Sequence, residues 1–116
     1  MSEIIRIESG KRMSQGVVAS GFIFLAGQVA PISSVDIEGQ TQQVLAEIDR
    51  LLRLAGSDKS RILSANIYLS DINSFAAMNR VWDIWVAPDA KPARATIEAK
   101  LAAPEYQVEI QVIALR

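Results

Sequence analysis

The sequence predicts an α+β fold in the order βββαβαββ, with two helices on one face of a mixed, mostly antiparallel sheet. Three observations carry this prediction. Two stretches repeat apolar residues at helical spacing, the runs around them have strand-type content, and 116 residues hold one core's worth of chain. No repeat, low-complexity tract or linker divides residues 1–116, so they read as a single domain.

Residues 4–7 alternate with charge and suggest a short first strand. Residues 16–19 and 22–26 read as two strands meeting at a tight turn around Ser20-Gly21, from their β-branched and aromatic content with glycine punctuation. Gly27-Gln28 ends the second of these, and residues 31–39 read as a loop. From residue 41 to 55 the period becomes helical: Val44, Leu45, Ile48, Leu51, Leu52 and Ala55 form one stripe, and Gly56 stands where a left-handed terminating residue is expected. Residues 62–69 return to a strand, with Leu63, Ala65, Ile67 and Leu69 assigned to one face. A second helix over residues 74–86 follows from Phe75, Met78, Trp82, Trp85 and Val86. After a loop between Pro88 and Pro92, residues 94–101 and 107–115 read as the last two strands.

Two helices cover one face of such a sheet, so the other needs cover from elsewhere. In the last strand Val108, Ile110, Val112 and Ala114 point one way, and Glu109, Gln111, Ile113 and Leu115 the other. Ile113 and Leu115 make that second face partly apolar. An oligomer would cover it; a long loop is the alternative.

Composition narrows the chemistry. The net charge of −1 and pI near 5.4 argue against a nucleic-acid partner. No apolar run approaches the ~18 residues of a membrane span, and the N-terminus lacks a secretory layout, so a soluble, cytoplasmic protein is expected. With no cysteine and no histidine, thiolate nucleophiles, histidine bases and the commonest transition-metal ligands are excluded. Any reaction must use carboxylates, Arg, Lys, Tyr, hydroxyls, backbone groups and water.

The best candidate cluster is Pro92-Ala93-Arg94-Ala95-Thr96 with Val108-Glu109-Ile110. A guanidinium at the start of a strand suits a carboxylate, to which its planar fork donates two parallel hydrogen bonds; a surface ion pair is the plainer reading. Glu109 reads either as an acid–base group or as a residue on a solvated sheet face. Asn79 is a helix-surface amide or a ligand contact, and Trp82 and Trp85 read as core or interface anchors. The glycines show no phosphate-binding spacing.

Taken together, these segments resemble the RidA (YjgF) family of enamine/imine deaminases, in particular its short YoaB-like branch. The resemblance rests on Phe24-Leu25-Ala26-Gly27-Gln28, residues 40–56, Ser64-Ala65-Asn66-Ile67-Tyr68-Leu69-Ser70-Asp71, Phe75-Ala76-Ala77-Met78-Asn79, Pro92-Ala93-Arg94 and Val108-Glu109-Ile110. It implies a chorismate-mutase-like α+β fold assembled as a homotrimer, with ligand sites in clefts between subunits and no metal or organic cofactor. By the same resemblance Arg94 binds a substrate carboxylate, Glu109 orients or polarises the attacking water, and Asn79 supports the site. Three positions depart from the family pattern. Met13 stands for a tyrosine, Ala26 for a serine and Thr96 for a frequent cysteine, although backbone groups at Thr96 can still serve the ligand.

The implied reaction suits the inventory. Enamines of the 2-aminoacrylate type tautomerise to 2-imino acids, which water converts to 2-keto acids and ammonia. A protonated imine is electrophilic enough to need neither metal nor covalent nucleophile. A trimeric binder of small carboxylates that regulates a partner is the alternative, and it needs Arg94 but not Glu109.

Overall fold

The computed structural model describes residues 3–116. Six strands and two helices follow the expected order: β1 (Ile5–Ser9), β2 (Ser14–Ala19), β3 (Phe22–Leu25), α1 (Ile37–Leu54), β4 (Ile62–Leu69), α2 (Phe75–Trp85), β5 (Ala93–Glu98) and β6 (Val108–Leu115). They form one sheet in the order β1-β2-β3-β6-β4-β5. All neighbours are antiparallel except β4 and β5, which run parallel because α2 carries the chain across between them. The turn between β2 and β3 has positive φ at both Ser20 (53°) and Gly21 (82°), the conformation that matches strand twist in a two-residue hairpin.

The α1 stripe read from the sequence is buried throughout, from Val44 to Ala55, and Gly56 has φ +85°. It packs with Met78, Val81 and Trp82 of α2 against Ile23, Leu25, Ala65, Ile67, Leu69 and the Val108, Ile110, Val112, Ala114 face of β6. Burial of that aliphatic set holds the two layers together.

Three expectations need correction. First, α1 starts at Ile37 rather than near Thr41. Asp36 caps it by accepting a hydrogen bond from the Gly39 N–H (2.9 Å), and the Thr41 hydroxyl donates to the Ile37 carbonyl (2.7 Å). Gly39, read as loop, lies in the first turn, where a Cβ would stand 2.9 Å from Val35 Cγ2 and glycine avoids that contact. Second, Leu63 does not share a buried face with Ala65, Ile67 and Leu69. A register shift between Ile62 and Ser64 turns Leu63 out and puts Ile62 in the core. Third, β5 ends at Glu98, not Leu101. There the Ala99 N–H still bonds the Leu69 carbonyl, while the Glu98 carboxylate accepts from the Ile72 N–H ahead of α2.

The sheet face away from the helices is partly apolar, as read from β6. Phe24 lies opposite Ile113 and Phe22 opposite Leu115, with the two phenyl rings 6.3 Å apart and each ring close to half exposed. Ile97 of β5 is also exposed there, paired with Tyr68.

Candidate functional site

Arg94 is the second residue of β5 and lies opposite Ala65, a core residue, so its side chain leaves the sheet on the helix side. There α2 receives it. Phe75, Asn79 and Trp82 are spaced i, i+4 and i+7 and share one helix face. Arg94 Nη1 donates to Asn79 Oδ1 at 2.8 Å, and the guanidinium carbon lies 5.2 Å from the Trp82 ring centre and 5.8 Å from that of Phe75. Both contacts are within cation–π range. Nε and Nη2 make no hydrogen bond among the described residues. Two residues on, Thr96 projects to the same side, opposite Ile67, and its shielded hydroxyl has no hydrogen-bond partner among the described residues. The result is a guanidinium held between β5 and α2 with two donor groups unengaged, an arrangement able to hydrogen-bond an anion.

Glu109 belongs to the other face. It pairs with Tyr68 between buried Val108 and Ile110, so it stands on the side away from the helices. Its side chain lies over Gly27: a Cβ on that glycine would overlap Glu109 Oε2 and come within 2.9 Å of Cδ. The segment beneath is fixed. Gln28 exchanges two backbone hydrogen bonds with Ile110 (2.8 and 3.1 Å), and its side-chain amide donates to Gln15 Oε1 (2.9 Å) and the Ala26 carbonyl (3.0 Å). Met13, half exposed, immediately precedes β2.

Arg94 and Asn79 are therefore brought together, Thr96 shares their side of β5, and Glu109 is not brought to them within one chain. Arg94 is level with Val112, because both pair with Ala65, and Glu109 lies three residues away along β6. Two strand spacings and three residue rises place their Cα atoms about 14 Å apart, on opposite faces. Three contributors were missed in the sequence. Trp82 and Phe75 flank Arg94, which their spacing with Asn79 could have signalled, and Gly27 seats Glu109, for which the Gly27-Gln28 pair was the only cue.

A shallow hollow of about 250 Å³ borders the Arg94 backbone, lined by Ser64, Asn66, Ala93 and Ala95. Two larger cavities, about 510 and 530 Å³, lie in the loop after β5 and between the outer surfaces of α1 and α2, and contain neither Arg94 nor Glu109. Among the described residues no three His, Cys, Asp or Glu side chains are gathered so as to hold a metal ion, and no helix is long and apolar enough to cross a membrane.

This architecture is a six-stranded α+β sheet with an arginine on one edge strand and a carboxylate seated on a glycine on the far face. The chain belongs to the YjgF/RidA family, whose family profile, described as Endoribonuclease L-PSP, matches residues 4–116. A RutC family protein of Haemophilus ducreyi is 48% identical over 111 residues, covering 96% of this chain and 95% of the relative. The RutC family protein YoaB of Escherichia coli is 42% identical, covering 96% of each. Among solved structures, NMB1025 of Neisseria meningitidis, a member of the YjgF protein family, superposes with a TM-score of 0.96 at 46% identity, over 98% of this chain and 95% of that one. Yeast Mmf1 superposes at 0.91 with 22% identity, over 98% and 99%, which speaks for the fold alone.

Proposed function

We propose that this protein is a cytoplasmic, homotrimeric hydrolase that converts 2-imino acids, formed from 2-aminoacrylate-type enamines, to 2-keto acids and ammonia. The observation that carries the proposal is the Arg94 receptor. A guanidinium bonded to Asn79, with its Nε and Nη2 donors unengaged, supports recognition of a small carboxylate. The opposed positions of Arg94 and Glu109 favour a site completed by a second copy, with Arg94, Asn79 and Thr96 from one subunit and Glu109 from its neighbour. The apolar face carrying Phe22, Phe24, Ile113 and Leu115 is the natural contact surface for that copy.

In this reading Arg94 holds the carboxylate and the Thr96 hydroxyl or backbone orients it, fixing the imine carbon beside a water. Glu109 of the neighbour accepts a hydrogen bond from that water and takes its proton as the oxygen attacks. The same carboxyl returns that proton to the nitrogen of the carbinolamine, the C–N bond breaks to release ammonia, and the hydroxyl proton passes to the Glu109 carboxylate as the C=O bond forms. No metal or organic cofactor enters these steps. The net charge of −1 and the absence of histidine disfavour the ribonuclease activity that the family description names. Glu109 also separates the enzyme reading from a non-catalytic carboxylate binder, because a fixed carboxylate beside a bound anion lowers simple affinity.

The test follows ammonia release from freshly generated imines, with binding of 2-oxobutyrate measured on the same variants. Arg94→Ala is expected to lose both, with turnover down on the order of 10²-fold or more. Arg94→Lys keeps the charge without the fork and should fall between it and the native protein. Glu109→Gln should lower turnover and spare binding. Imine decay that the native protein does not accelerate, with 2-oxobutyrate still bound, would leave the binder.

A further inference from the structure

The floor beneath Arg94 is more elaborate than one hydrogen bond requires. Trp82 is 6% exposed, and the adjoining Trp85 ring, 5.4 Å away and inclined at 51°, packs against it. Trp85 is itself tied down. Its indole N–H donates to Asp49 Oδ2 of α1 at 2.9 Å, and Lys59 Nζ donates to its carbonyl at 2.5 Å while lying 5.3 Å from its ring centre. The contacts run without a break from α1 through two indoles to the guanidinium of β5.

Recognition by a planar fork depends on the angle of its plane as well as its charge. The bond from Nη1 to Asn79 fixes one point and leaves the plane free to swing about it. A flat, immobile ring beneath the guanidinium removes that freedom. We infer that Trp82, held by Trp85 and Asp49, is a positioning residue for Arg94, setting the guanidinium plane so that the Nε and Nη2 edge is preorganised for a carboxylate. The ligand in this inference rests on the proposed function; the positioning itself does not.

The experiment uses the full-length protein with Trp82→Phe, Trp82→Leu and Asp49→Ala. It reads three quantities: the Arg94 Nε–H resonance, assigned by its loss in Arg94→Lys, the Kd for 2-oxobutyrate, and the melting temperature. Trp82→Phe retains a flat ring and should keep the resonance distinct and Kd within about twofold. Trp82→Leu should move the resonance to the position of freely moving surface arginines and raise Kd about tenfold. Asp49→Ala, on α1 and away from Arg94, should act in the same direction with Kd raised about threefold, and it decides the matter if Trp82→Leu does not fold. Lower melting temperatures with an unchanged resonance and Kd would reduce the indoles to core packing and overturn the inference. A resonance that responds as expected in a protein that binds no 2-oxobutyrate would uphold the positioning and overturn the carboxylate ligand.

Discussion

Arg94 and Glu109 project from opposite faces of one sheet, the arginine from edge strand β5 toward the helices and the glutamate from β6 toward the open side. A substrate of a few atoms cannot touch both in a single chain. If the two residues act in one reaction, two copies must supply them, and assembly and activity then become the same property.

That coupling predicts the effect of a charge on the open face. Ile113→Asp places a carboxylate beside Phe24, where a second copy would have to bury it without a partner. A specific contact buries on the order of 800 Å² per subunit, and one buried, unpaired charge is enough to disrupt it. Sedimentation should show a native trimer and a largely monomeric variant. The monomer should retain its helical circular dichroism and lose imine hydrolysis.

Gly27 should be irreplaceable for a local reason. A Cβ at this position occupies the space of the Glu109 carboxylate, so Gly27→Ala must push that side chain away. Because Gln28 is locked to Ile110 and Gln15, the backbone cannot retreat to make room. Turnover is expected to fall about 10²-fold while 2-oxobutyrate binding, assigned to Arg94 in the proposed function, changes little. Measuring both on one preparation separates a displaced base from a damaged fold.

Much of the fold was legible because its signals are local. The α1 stripe lies on one face of one helix, and the β6 alternation assigned Glu109 and Ile113 to the same side from sequence alone. The Leu63 position was not legible, because a single bulge reverses which residues of a strand face inward. The Arg94–Asn79 bond was hidden for another reason: it depends on how α2 crosses between two parallel strands. The polarity of β5 also misleads. Its polar members Arg94, Thr96 and Glu98 face the helices, and exposed Ile97 faces the open side. With polar residues facing the helices, this edge strand reverses the usual pattern, so nothing in the sequence showed that Arg94 and Glu109 diverge.

The clamp between the sheet edge and α1 should depend on pH. Glu8, held in the left-handed region at φ +50°, accepts hydrogen bonds from Arg50 Nη1 and Nη2 at 2.6 and 3.1 Å. These bonds, ahead of the ion pair's charge attraction, hold the Glu8 carboxyl below the ordinary carboxylate value of 4.5. A lowered folded-state value stabilises the native protein above the unfolded value and loses that contribution as pH falls through the folded one. Glu8→Gln should therefore melt below the native protein at pH 7, with the difference shrinking steadily under acid. The pair is exposed, so added salt should shrink it as well.

The shared site is tested most directly by mixing two inactive chains. Arg94→Ala and Glu109→Gln, each expected to be nearly inactive alone, are co-expressed in equal amounts so that trimers assemble at random. If Arg94 of one subunit works with Glu109 of its neighbour, about one site in four receives both native residues, and imine hydrolysis returns to about a quarter of the native rate. Activity of the mixture no greater than the sum of the separate variants would contradict the account.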